Sequence, residues 1–137
     1  MRYLGVDVGR ATIGLALADD VVRTARALVT VRRSSEAADL GALRRIAEEY
    51  EVERAVVGLP LNMDGTEGSS ARLARSFAAR VESALCLPVR LFDERLSTFE
   101  AESRLRARGI SARDQRAIID AEAAAVILQD WLDAGGT

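Results

Sequence analysis

Apolar residues open the chain in two short runs. Residues 2–8 and 12–18 both read as buried strands, and the three-residue link Gly9-Arg10-Ala11 between them predicts a hairpin. A polar turn at Asp19-Asp20 leads to a third candidate strand over 27–31. Three strands in quick succession predict an antiparallel meander. The period then changes. Across 35–50, Leu40, Leu43, Ile46 and Ala47 recur at helical spacing. Residues 54–59 read as a short apolar strand, and 60–68, with Asn62, Asp64-Gly65 and Gly68, as a loop. Residues 69–85 place Leu73, Phe77, Val81 and Leu85 on one helical stripe, and 88–92 form a fifth strand. Ser97, with Glu100 three residues on, predicts a capped helix to about Arg108 that Gly109 ends. Ser111 caps a last helix to about Ala134.

The order β-β-β-α-β-α-β-α-α predicts an α/β fold. Helices between the later strands imply parallel crossovers added to the meander. The expected sheet is mixed and five-stranded, three strands antiparallel and two parallel, with helices on both faces. No linker-like stretch interrupts the 137 residues, so 1–137 reads as a single domain.

Composition narrows the chemistry. With no His and one Cys, neither a His/Cys zinc site nor a Ser-His-Asp triad is available. Catalysis must rest on carboxylates, arginines, hydroxyls or a metal. Cys86 has no internal disulfide partner, and the N-terminus leads straight into a strand holding an Asp. A cytoplasmic protein with no membrane attachment is expected. The net charge of -2 argues against nonspecific coating of nucleic acid, although a local basic face can sit on an acidic protein. All 19 cations are Arg, whose planar donor fork suits phosphate.

Three carboxylates stand out. Asp7 lies within an apolar strand, a costly place unless something pairs it. A metal or catalytic role explains it, and so does a structural bond to a loop amide or an Arg. Asp93-Glu94 follow the fifth strand directly, where ligands gather in sheets with crossover helices. Only one of two neighbouring strand residues can face a given pocket. Asp120 shares a helical face with Ala124, Ile127, Leu128 and Trp131, which should pack on the sheet beside Asp7. Glu122 lies about 200° away round that helix and is expected in solvent. Three clustered carboxylates resist ionising together, and a bound Mg²⁺ or Mn²⁺ removes that penalty.

These residues carry a resemblance. The segments Gly5-Val6-Asp7-Val8-Gly9, Ile13-Gly14-Leu15-Ala16, Gly58-Leu59-Pro60-Leu61-Asn62-Met63-Asp64-Gly65-Thr66 and Asp93-Glu94-Arg95-Leu96-Ser97-Thr98 resemble the YqgF/RuvX family of pre-16S rRNA nucleases. So does Asp120 with Ala123-Ala124 and Ile127-Leu128-Gln129. The family is itself similar to Holliday-junction resolvases. The resemblance implies a ribonuclease H-like fold and metal-dependent cleavage of RNA, or of single-stranded or branched DNA. It implies that Asp7, Glu94 and Asp120 are catalytic and hold Mg²⁺ or Mn²⁺, and that the protein matures the 5′ end of 16S rRNA in the cytoplasm. One position departs: where the family often has a basic residue before the Ile-Gly step, this chain has Thr12, with Arg10 nearby.

Substrate contacts are expected from Arg10, Asn62, Thr66, Arg95, Ser97, Arg113 and Arg116. Asn62 and Thr66 sit in a loop at a helix start, where backbone amides can receive a phosphate. Arg104, Arg106, Arg108, Arg113 and Arg116 outnumber Glu100, Glu102 and Asp114 nearby, a modest phosphate track. Aromatics are scarce, so recognition should lean on backbone and shape. The partner is therefore a nucleic acid, with the protein acting as monomer or homodimer. Two other readings compete. One is a nonenzymatic assembly factor that binds pre-rRNA. The other is a nucleotide-binding module with an Asp-x-Gly phosphate loop, for which the chain supplies only one of the two required subdomains.

Overall fold

The computed structural model describes residues 1–93 and 112–136, with side chains described for 1–93 and 120–136. Its strands are β1 (Arg2–Val8), β2 (Thr12–Asp19), β3 (Arg26–Arg32), β4 (Val52–Leu59) and β5 (Val89–Asp93). Its helices are α1 (Glu36–Glu49), α2 (Ser69–Leu85) and α3 (Ala112–Asp133). The helix expected over 97–108 lies outside the described residues.

The sheet order is β3-β2-β1-β4-β5. β1 pairs antiparallel with β2, and β2 with β3, while β1–β4 and β4–β5 are parallel. This is the meander with two parallel strands that the chain order predicts. β4 begins two residues earlier than its apolar run suggested. Val52 is buried and Glu53 is exposed, so the strand's first residues alternate rather than run apolar.

Strand alternation sends the two sheet faces to different helices. Leu4, Val6 and Val8 of β1, with Ile13, Leu15 and Leu17 of β2, pack under Leu43 of α1 and Phe77 and Val81 of α2. Tyr3 of β1, Ala16 and Ala18 of β2, and Val56 of β4 pack under Ala124, Ile127, Leu128 and Trp131 of α3. α1 starts where it does because Ser35 caps it, its side chain accepting from the Ala38 amide at 3.1 Å.

The face under α3 is built from small residues at its centre. A Cβ on Gly5 would lie 2.8 Å from the Ala124 carbonyl oxygen and 2.9 Å from the Leu128 Cβ. The helix backbone therefore rests on the sheet itself. At its far end, the Gln129 amide accepts from the Ala25 N–H at 2.8 Å and donates to the Arg23 carbonyl at 3.1 Å. Arg23 in turn donates to the Leu132 carbonyl at 2.7 Å. The connection between β2 and β3 thus holds the C-terminal part of α3 against the sheet. Tyr3 and Trp131 meet edge to face with ring centroids 5.1 Å apart.

One expectation is overturned. Glu122 is buried, with 7% of its surface exposed, rather than solvated. Every residue from Ala121 to Leu128 is buried, so this stretch of α3 has no solvent face. A helix enclosed all round does not obey the one-sided wheel from which the expectation came. Among the described residues, no helix is long and apolar enough to cross a membrane.

Gly5→Ala should destabilise the protein by about 1–3 kcal/mol, the cost of overpacking a contact that cannot open freely. Urea denaturation measures it, and an unchanged midpoint would mean that α3 is not seated on Gly5.

Candidate functional site

Asp7 lies on β1 on the same face as Tyr3 and Gly5, and is half-buried. Its partner in the antiparallel register is Gly14 of β2. Residues directly opposite in such a pair point to the same face, about 5 Å apart. A Cβ on Gly14 would lie 1.9 Å from the carbonyl oxygen of Asp120 and 2.7 Å from the Ala121 nitrogen. Only the hydrogen of glycine fits there. The missing side chain lets the backbone of α3 at Asp120 settle against the residue that faces Asp7. Residues 106 positions apart in the sequence, Gly14 and Asp120, meet at this point.

Thr12 lies two positions before Gly14 on the same face of β2. Its hydroxyl donates a hydrogen bond to Oδ2 of Asp120. This residue was noted in the sequence only as a departure from a basic pattern. Its pairing with a residue so distant had no local signal.

The hairpin carrying Asp7 and Thr12 is braced from below. The Gly9 amide donates to the Thr12 carbonyl at 2.8 Å, closing the turn, and the Arg33 amide donates to the Ala11 carbonyl at 2.9 Å. The Arg33 guanidinium donates to the Gly9 carbonyl at 3.0 Å and to Asp39 at 3.1 Å. Asp39 is 2% exposed and also accepts from the Ser34 amide at 3.0 Å, so its buried charge is paired and hydrogen-bonded. Arg33 stacks over Phe77, 5.1 Å from the ring centroid. Neither Arg33 nor Asp39 was singled out from the sequence. The signal available was an Asp one turn into α1, which reads as ordinary N-terminal charge.

Arg10 projects from the same turn, and its guanidinium donates to the Ser69 hydroxyl at 2.8 Å. Ser69 begins α2, whose N-cap Gly68 supplies no side-chain hydrogen bond. A guanidinium thus stands at the positive end of a 17-residue helix. Asn62 and Thr66 lie on the exposed loop before that helix. The Asn62 amide donates to the Thr66 hydroxyl at 2.9 Å, and that hydroxyl donates to Asp64 at 2.6 Å. Gly65 takes φ +86°, a left-handed conformation that suits glycine and lets the loop close on itself.

Of the other expected residues, Glu94, Arg95 and Ser97 lie outside the described residues. Arg113 and Arg116 fall in α3, but their side chains are not among those described. Asp93 ends β5, and alternation sets it on the face opposite Phe92, away from α3. Among the described residues, no group of three or more His, Cys, Asp or Glu is gathered to hold a metal ion. Two carboxylates and a hydroxyl, all hard oxygen donors, are what Asp7, Asp120 and Thr12 bring to this end of the sheet.

The family model RuvX, described as Holliday junction resolvase, matches residues 1–134. The chain belongs to this family. A RuvX relative from Anaeromyxobacter dehalogenans (strain 2CP-C), named "Putative pre-16S rRNA nuclease", is 73% identical over 133 residues and covers 97% of each chain. One of the same name from Myxococcus xanthus (strain DK1622) is 48% identical over 134 residues, covering 98% of this chain and 89% of its own. Among solved structures, T. thermophilus RuvC in complex with a Holliday junction substrate matches with a TM-score of 0.62 at 18% identity, over 98% of this chain and 97% of that one. Fowlpox virus resolvase with Holliday junction DNA matches with a TM-score of 0.60 at 9% identity, over 98% of each. The fold of this RuvX protein is therefore ribonuclease H-like, as the sequence led us to expect.

The loop beside α2 gives a pH-dependent prediction. Hydrogen bonds from the Thr66 hydroxyl, and then from the Thr66 amide, hold the Asp64 carboxyl below the usual aspartate range. A depressed folded-state value stabilises the loop above the unfolded-state pKa, and that contribution is lost as pH falls through the folded value. Carbon-13 titration of Asp64 by NMR should give a lowered pKa that rises in Thr66→Val. An Asp64 value that Thr66→Val leaves in place would rule out this hydrogen bond as the cause.

Proposed function

We propose that this RuvX-family chain is a divalent-metal-dependent nuclease that processes the 5′ end of pre-16S rRNA in the cytoplasm. Residues 1–137 would act as one nuclease domain. Asp7, Glu94 and Asp120 would hold Mg²⁺ or Mn²⁺. The observation that carries the reading is the seating of the Asp120 turn of α3 on Gly14, the register partner of Asp7. It supports a carboxylate site because two acidic residues are brought to one sheet end where an apolar contact would have served packing better. Their oxygen donors fit a hard divalent cation. Glu94 enters on its sequence position alone, directly after β5. The rRNA substrate is suggested by the names of the relatives at 73% and 48% identity.

A divalent cation bound there would polarise the scissile phosphate and acidify an attacking water. The protein's own groups would do the positioning. Asp7 is carried on a central strand paired on both sides, a rigid mount for a carboxylate. Arg10 and the start of α2 would hold a phosphate of the strand next to the one being cut, using a guanidinium fork and helix amides. Asn62 and Thr66, in the loop leading into α2, would lie along the same path; Arg95, Ser97, Arg113 and Arg116 enter as substrate contacts on their sequence positions alone. A second reading, cleavage of branched DNA, is favoured by the description of the family model as Holliday junction resolvase.

Cleavage of a pre-16S rRNA 5′ fragment, single-stranded DNA and a four-way junction should be compared in Mg²⁺, Mn²⁺ and EDTA. The RNA should be cut with either metal and spared in EDTA. Asp7→Asn should lower cleavage at least about 100-fold, the upper end of what losing even an outer partner of a metal costs. Wild-type rates for that variant would sink the assignment, and junction cleavage without RNA cleavage would favour the second reading.

Arg10→Ala should raise KM and leave kcat in place. It should also reduce the slope of log affinity against log salt by about one, the signature of one lost phosphate contact. An unchanged salt slope would remove Arg10 from the substrate path.

A further inference from the structure

We infer that Thr12 is a positioning residue that orients the Asp120 carboxylate for cation binding, an inference that rests on the metal-site reading above. Thr12 begins β2 immediately after the turn, and two hydrogen bonds and a strand pairing fix its backbone neighbourhood. The Gly9 amide bonds its carbonyl, the Arg33 amide bonds the carbonyl of Ala11, and Thr12 itself pairs with Arg32 of β3. A β-branched side chain on such a backbone has few open rotamers. The hydroxyl is therefore a fixed donor, and it gives its hydrogen to Oδ2 of Asp120.

Asp120 needs such a fixture. Its backbone is pressed against Gly14, but a backbone contact leaves the side-chain torsions open. A carboxylate that turns freely presents its oxygens in many directions and must be ordered when a cation binds, at an entropic cost. Thr12 removes that freedom in advance. It does so without charge. An Arg at this place would form a charge-assisted pair with Asp120 and compete with the cation for the same oxygens. A hydroxyl leaves the net charge of the carboxylate in place. Among the described residues, Thr12 is the hydrogen-bond partner that Asp120 has.

The test uses the full chain and Mn²⁺ alone, with binding read from the free-ion EPR signal and folding from the melting temperature. Thr12→Val keeps the branched shape and loses the donor. It should weaken Mn²⁺ binding about 10- to 100-fold, the usual range for an outer partner of a ligand, with the melting temperature close to wild type. Thr12→Ser restores the hydroxyl and should bind within about threefold of wild type, a rescue that loss of packing alone would not produce. Asp120→Asn separates the two levels of the argument. If it weakens Mn²⁺ binding and Thr12→Val does not, Thr12 has no positioning role and the metal site stands. If Asp120→Asn leaves binding unchanged, the metal-site reading falls and the Thr12 inference falls with it.

Discussion

The close seating of α3 on the sheet is the constraint from which the site follows. Two glycines permit it. At Gly5 the helix meets β1 through the Ala124 carbonyl, and at Gly14 it meets β2 through the Asp120 carbonyl. Any side chain at either position would lift the helix by the thickness of a methyl group or more. The contact at Gly14 does more than save space. Because Gly14 is the register partner of Asp7, the backbone of Asp120 rests on the residue directly opposite Asp7. If Asp7 and Asp120 form the proposed site, packing and chemistry share one geometric condition here, and a change that loosens the contact would disturb both.

The rest of the fold holds that contact from three sides. Gln129 and Arg23 tie the C-terminal half of α3 to the turn between β2 and β3. Tyr3 packs against Trp131 at the opposite end of β1 from Asp7. On the other face, Arg33 and Asp39 brace the hairpin that presents Asp7, Arg10 and Thr12. That pair is costly to desolvate, and replacing it with apolar side chains would often leave stability unharmed. Its directional bonds to the Gly9 carbonyl and the Ser34 amide offer something an apolar pair lacks: they fix where the turn sits.

Much of this was legible in the sequence, for identifiable reasons. The strands of the meander, the helix over 35–50 and the stripe of α2 follow local periodicity, and they appear within about two residues of where it puts them. Asp7 stands out in the sequence because a carboxylate in an apolar strand is expensive wherever the strand ends up, and the fold holds it half-buried on β1. Glu122 was misread because a helical wheel assigns one face to solvent, whereas α3 is enclosed on every side over this stretch. Thr12 and Arg33 were not legible at all as site residues. Their roles depend on partners 108 residues away in one case and on a carbonyl 24 residues back in the other, contacts that only the folded register creates.

The charges near the proposed site suggest how an arginine-only, slightly acidic protein would serve both a cation and a phosphate chain. Arg33 is committed to Asp39 and a carbonyl on the α1–α2 face, away from Asp120. Arg10 is directed to Ser69 at the start of α2. Among the described residues, the group that bonds the Asp120 side chain is a neutral hydroxyl. The arrangement separates the two electrostatic tasks that a phosphodiester-cutting site must combine. Guanidinium groups close to the carboxylates would neutralise them and weaken metal binding, while the same groups one turn or one helix away attract phosphate without that loss. With the neutral Thr12 at its inner position and Arg10 directed to Ser69, the hairpin keeps its positive charge away from Asp120, which is what the proposed orienting role of Thr12 would need.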